Sequence, residues 1–142
     1  MREETLRDVL LGKPSAEALN QEAADATASL GTRIGIRVAS IGSGEHVVTT
    51  EQLTRLCDAV HEGRIDPAKL EAIAFALIAS DFFLWDRENP DGERVGKVLD
   101  DWSGTEIGYP LHPANIAKAR HYLVTGENTF TPADLVRRQA SP

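Results

Sequence analysis

Apolar residues are densest between positions 70 and 79, a run with one charged residue, Glu71, and no glycine or proline. Apolar side chains recur there at i, i+3, i+4, i+7 and i+8, the spacing of a core-facing helical stripe: Leu70, Ile73, Ala74, Leu77 and Ile78. Alanines and Phe75 make the other face apolar too, so we expect neighbours to surround this helix. The run is far shorter than the roughly 20 residues that cross a bilayer. The pattern therefore predicts a buried central helix over residues 67–80.

Amphipathic patterns on both sides of this run predict the remaining helices. Two of them fall within residues 1–30 and are expected to be peripheral, because the apolar face of the second, alanine-rich helix is weak. Thr49 and Gln52 have the spacing of a capping box, in which each side chain bonds the other residue's backbone N–H, ahead of the next helix. A polar turn precedes a helix that contains Trp102, and the last two helices begin near Pro113 and Thr131.

One segment has the pattern of β structure. Apolar residues alternate with polar or small ones from Arg33 to Val38, and glycines at positions 42 and 44 precede Val47 and Val48. These features predict a small β-hairpin between residues 33 and 49. The chain is therefore expected to be mainly α, a compact bundle of about six or seven helices around the central helix. We expect one globular domain over residues 1–142, with a frayed tail at 137–142.

Composition narrows the classes of function. The chain has 142 residues and a net charge of −7, which disfavours nucleic acid as a partner because phosphates require a clustered basic face. The single cysteine, Cys57, cannot form an internal disulfide and lies in an apolar stripe, so it is interpreted as a core residue. The first residues lack a signal-peptide pattern and there is no membrane-spanning run, so a cytoplasmic location is expected.

The most function-like segment extends from Asp81 to Glu106. It contains eight carboxylates and three basic side chains, and so accounts for −5 of the net charge. Aromatic residues are interleaved with these acids, and such a surface suits a basic protein, because charge steers the encounter and aromatics anchor it. The alternative is that the aromatics are core residues and the acids are the solvated faces of two helices. The predicted partner-binding residues are Asp81, Trp85, Asp86, Glu88, Asp100, Asp101, Glu106 and Tyr109.

Other chemistry has less support in the sequence. The four histidines have no metal-ligand spacing among themselves or with Cys57, and no phosphate loop or nucleophile motif is present, so no metal or cofactor is predicted. A second hypothesis is a small-ligand or hydrolytic enzyme that uses Asp81 and Asp86 with His112. A close-set pocket would favour this second hypothesis over the first.

The segment from Pro90 to Val95, which leads to Trp102, and the segment Ile107-Gly108-Tyr109-Pro110 resemble parts of the small immunity proteins that neutralise bacterial nuclease toxins. Those proteins pair a Tyr-Tyr-Pro segment with an acidic helix. Here the order of the two segments is reversed, and Gly108 stands in place of one tyrosine. The resemblance implies an inhibitor of a basic enzyme, without catalysis of its own.

Overall fold

A computed structural model describes residues 1–13, 15–30, 44–104, 109–131 and 134, and for residues 25–30 the backbone alone. The described part contains six α-helices and a two-stranded sheet, which confirms the prediction of a mainly α fold packed as a compact bundle. The elements are α1 (Glu3–Leu10), α2 (Ala16–Leu30), β1 (His46–Val47), α3 (Thr50–His61), a 3-10 turn (Pro67–Lys69), α4 (Leu70–Ala79), β2 (Phe83–Leu84), α5 (Pro90–Ser103) and α6 (Pro113–Thr125). Helix α3 packs against α1, α5 and α6, while α4 packs against α2 and α5.

Helix α4 is buried on a broad face rather than on all sides. Leu70, Ile73 and Leu77 are fully buried, but Ile78 is 41% exposed, so its predicted place in the core stripe is wrong. The reason lies in the helical spacing: Ile78 shares a stripe with Glu71 and Phe75, at i, i+4 and i+7. The stripe that contains the charged residue of α4 is therefore less buried than the opposite face: Glu71 and Phe75 are half-buried and Ile78 is exposed.

The two strands pair in parallel, with His46 opposite Phe83 and Val47 opposite Leu84. The His46 N–H donates to the Phe82 carbonyl at 2.7 Å, and the Val48 N–H donates to the Leu84 carbonyl at 2.9 Å. A parallel pair needs a long crossover, which α3 and α4 supply here. The predicted hairpin partner, residues 33–38, lies outside the described residues, whereas its second strand pairs with a segment that the sequence had not indicated as β.

The N-terminal helices contribute to the core through Leu6, Leu10 and Leu19, each at most 1% exposed. The Thr5 hydroxyl donates to the Glu22 carboxylate at 2.8 Å and so ties α1 to α2. The tail at 137–142 and most of the predicted last helix lie outside the described residues. No helix in the described part is long and apolar enough to cross a bilayer.

Candidate functional site

The first group of predicted binding residues lies at β2 and the turn that follows it. Asp81, Asp86 and Glu88 are exposed, and Trp85 between them is half-buried, with one side packed on the core. The Asp86 carboxylate accepts a hydrogen bond from the Glu88 backbone N–H at 2.9 Å, which shapes the turn. Within the described ranges, no lysine or arginine forms an ion pair with these three carboxylates. We call Asp81, Trp85, Asp86 and Glu88 the acidic turn.

Pairing of β1 with β2 adds two residues to this surface that the sequence analysis missed. Glu45 and Val47 are exposed, Val47 by 58%, and they precede or lie within the strand next to Phe83 and Leu84. Their position depends on a parallel contact between segments almost forty residues apart. Glu45 and Val47 could have been predicted as surface residues only if the pairing of Val47 with this later segment had been expected.

Asp91 is exposed, but its carboxylate is already engaged within the fold. Its carboxylate accepts hydrogen bonds from the Thr50 backbone N–H at 3.2 Å and from the Thr50 hydroxyl at 2.6 Å. Thr50 begins α3 and Asp91 lies in the first turn of α5, so one carboxylate serves the amino ends of two helices, where negative charge is favourable. One of the eight carboxylates in the segment from Asp81 to Glu106 is therefore explained by its bonds at helix amino ends.

Arg87 connects the acidic turn to the other end of α5. Its guanidinium lies 3.2 Å from the Asp100 carboxylate, after crossing α5 at Gly96. A Cβ on Gly96 would lie 2.7 Å from Arg87 Cζ, and a Cβ on Gly92 would overlap the Asp86 carbonyl. The segment before α5 thus lies directly on two glycines one helical turn apart, a role that the sequence analysis had not assigned to them.

The second group of predicted residues surrounds Lys97. The Lys97 ammonium lies 2.7 Å from the Asp101 carboxylate and 5.8 Å from the ring centre of Tyr109. It lies at similar distances from the rings of Tyr122 and Phe130, and Phe130 stacks on Tyr109 at 4.1 Å. A cation within about 6 Å of a ring is attracted to its face. Asp101 and Tyr109 therefore take part in contacts that hold the segment after α6 against α5.

The structure thus divides the predicted residues into two groups. Within the described residues, the carboxylates of the acidic turn have no ion-pair partner, whereas Asp100 and Asp101 are paired with cations of the same chain. Trp102 is 3% exposed and belongs to the core, and Glu106 lies outside the described residues.

The residues of the enzyme hypothesis are not brought together by any described contact. His112 is the residue before α6, and its ring nitrogen lies 3.3 Å from the Asn115 amide nitrogen. No hydrogen bond or ion pair in the described part links His112 to Asp81 or Asp86. In the same part of the chain, no group of three or more His, Cys, Asp and Glu side chains is placed to hold a metal ion.

A cavity of about 510 Å³ lies elsewhere, between the carboxyl-terminal half of α3 and the first turns of α6. Arg120 on α6 bonds Asp58 on α3, with its Nε donating to the carboxylate at 2.7 Å. This hydrogen bond raises the pKa of Arg120, which therefore stays charged. Burial raises the pKa of the Cys57 thiol to about 12, so the cysteine in the cavity wall stays neutral and is a poor nucleophile.

Comparisons with known protein families, with curated proteins and with solved structures find no match to this chain. Function is therefore inferred from the geometry and charge of the acidic turn and of the cavity.

Proposed function

We propose that this chain is a protein-binding domain without catalysis, an inhibitor of a basic protein of the immunity or antitoxin type. The acidic turn, together with Glu45 and Val47, is its binding surface. The observation that supports this proposal best is that Asp81, Asp86 and Glu88 are exposed without an ion-pair partner in the described part of the chain.

Unpaired carboxylates can engage a partner's cations without first giving up a bond inside their own chain. Asp100 and Asp101 are already offset by the neighbouring cations Arg87 and Lys97, so they contribute less to the attraction. Half-buried Trp85 offers an anchor held by the core, and hot spots of this kind are enriched in tryptophan. The acids around it would accelerate association, and salt would weaken their attraction.

The test compares three immobilised proteins in affinity capture from a lysate of the source cell, eluted with a salt gradient. These are the wild type, the double variant Asp81→Lys with Glu88→Lys, and the control Glu17→Lys with Asp66→Lys. Both double variants change the net charge equally, and all four positions are exposed. Glu17 and Asp66 lie on α2 and before the 3-10 turn, away from the acidic turn in the chain.

We expect a basic protein to be retained by the wild type and the control and released at moderate salt, but not retained by the Asp81/Glu88 variant. The captured protein's own activity should fall when the wild-type chain is added. Retention by all three proteins would assign binding to another surface, and equal loss in both variants would reduce the interaction to net charge.

The enzyme hypothesis, with Asp81, Asp86 and His112, has no described contact that favours it. A ligand site is supported instead at the cavity between α3 and α6.

A further inference from the structure

The cavity between α3 and α6 combines an apolar wall with a small number of polar groups. Its volume, about 510 Å³, lies within the roughly 300–1,000 Å³ that is usual for small-molecule sites. Such sites are mostly apolar with a few convergent polar side chains, and this one has that composition. The lining residues that carry the argument are Cys57, Asp58, His61, Ile116, Ala117 and Arg120.

Arg120 has hydrogen-bonding capacity to spare at this cavity. Its Nε donates to Asp58, and neither of its two Nη groups has an acceptor among the described residues. The side chain is 47% exposed, held in place at one nitrogen and open at the other two. A guanidinium in this state matches a carboxylate, which accepts two parallel N–H bonds.

The amino end of α6 also favours a negative group in this cavity. Pro113, the first residue of α6, is one of the lining residues, so the cavity lies beside the positive end of the helix dipole. Residue 112, which precedes α6, makes no side-chain capping bond to the first turn. The Asp58 carboxylate is the one acidic side chain in the lining, and it bonds Arg120 at Nε, which leaves the two Nη groups as donors for a ligand.

We propose that this cavity binds a small monocarboxylic acid with an apolar body, in its carboxylate form. The carboxylate accepts hydrogen bonds from the Nη groups of Arg120, and the apolar body lies along Ile116 and Ala117 and covers the neutral thiol of Cys57. The site is independent of the acidic turn, so its failure would leave the proposed protein-binding function untouched.

The test is an NMR titration of the ¹⁵N-labelled full chain with octanoate and, separately, with octan-1-ol, which has the same chain length and no charge. Three variants accompany the wild type. Arg120→Gln removes the charge but keeps a donor for Asp58, and Ala117→Phe fills the cavity from an exposed position of α6. Arg64→Gln is the matched control, because Arg64 bonds Glu62 and does not line this cavity.

We expect octanoate to shift the amide resonances of residues around the cavity and to bind more tightly than octan-1-ol. Arg120→Gln should weaken octanoate binding by about tenfold or more while leaving octan-1-ol within about twofold, since only the charged ligand uses the guanidinium. Ala117→Phe should weaken both ligands, and Arg64→Gln neither.

Three results would overturn the proposal. The first is an absence of shifts around the cavity at millimolar octanoate, and the second is equal affinity of the wild type for the two ligands. The third is octanoate binding that Arg120→Gln and Arg64→Gln weaken to the same extent, which would indicate a general response to lost positive charge.

Discussion

At the scale of single residues, Gly92 illustrates how closely the segment before α5 lies on that helix. The Asn89 side chain accepts a hydrogen bond from the Gly92 N–H at 2.7 Å, and the Asp86 carbonyl occupies the space where a Cβ would be. Replacing Gly92 by Ala must therefore move backbone rather than a flexible side chain. We expect Gly92→Ala to lower the free energy of unfolding by at least about 2 kcal/mol, despite the better helix propensity of alanine. Urea unfolding followed by circular dichroism measures this loss in the free energy of unfolding.

Gly63 supplies the matched control for this prediction. Its φ is +78°, but no atom lies within 4 Å of the position of a Cβ, so Gly63→Ala introduces backbone strain without a clash. We expect a cost of about 1 kcal/mol at Gly63, smaller than at Gly92. An equal loss in the free energy of unfolding at the two positions would show that the backbone at Asp86 moves away from the new Cβ at little cost.

Cys57 gives a residue-scale prediction for pH. Its thiol has a pKa of about 12 in the folded chain, raised chiefly by burial, against an ordinary value of 9.0 in the unfolded chain. Between these values the folded state retains a proton that the unfolded state has lost, so the free energy of unfolding falls as pH rises. The slope from this group approaches about 1.4 kcal/mol per pH unit.

Urea unfolding of the wild type and of Cys57→Ala between pH 8 and 11 isolates this contribution, because other groups titrate in both proteins. The wild type should lose stability faster with pH than Cys57→Ala. Parallel pH profiles would contradict the prediction and imply that the thiol has access to solvent.

At the scale of elements, the amino ends of three helices differ in a way that stability measurements can detect. The Thr49 hydroxyl accepts from the Gln52 N–H at 3.2 Å before α3, and Asn89 caps α5, but residue 112 makes no side-chain cap before α6. We expect Thr49→Ala and Asn89→Ala each to cost about 1 kcal/mol, and His112→Ala less than about 0.5 kcal/mol. Thermal and urea unfolding of the three variants measure these costs. A His112→Ala cost as large as the other two would refute the distinction.

The sequence predicted these elements through local chemistry, and it failed where long-range contacts decide. Thr49 caps α3 as predicted, but the Gln52 side chain bonds the His46 ring at 2.9 Å instead of completing the capping box. That contact exists because β1 is held in place by β2, a pairing that no local pattern encodes. The same limit applies to Arg87, whose pairing with Asp100 depends on the missing side chain at Gly96, inside α5.

The candidate surfaces follow the same division between local and long-range information. The exposure of Asp86 and Glu88 was predictable, because both lie in a short polar turn, whereas Asp81 is followed by four apolar residues and its exposure depends on the fold. The internal pairing of Asp101 by Lys97 follows helical i,i+4 spacing and was also readable. The α3–α6 cavity could not be predicted from the sequence. It forms between two helices that are fifty or more residues apart, and no local pattern indicates that they pack together.

At the scale of the whole molecule, the expectation of one domain over residues 1–142 can be tested through its two tryptophans. Trp85 and Trp102 both follow α4 in the chain, whereas Leu19 is fully buried in α2, which packs against α1 and α4. If the helices form one cooperative unit, a cavity at Leu19 must lower the urea midpoint that the fluorescence of the tryptophans reports. We expect Leu19→Ala to cost about 2–5 kcal/mol and to shift the fluorescence and circular dichroism transitions in urea equally.

Glu17→Ala on the same helix is the control, since Glu17 is exposed and its loss should change stability by no more than about 0.5 kcal/mol. The opposite outcome would be a fluorescence transition that Leu19→Ala leaves in place while circular dichroism splits into two steps. In that case the N-terminal helices would unfold by themselves, and the acidic turn and the α3–α6 cavity would belong to a smaller cooperative unit. Coincident shifts would instead mean that any ligand at the cavity and any partner at the acidic turn stabilise the same folded state. Each would then raise the urea midpoint by an amount that grows with the logarithm of its concentration divided by its Kd.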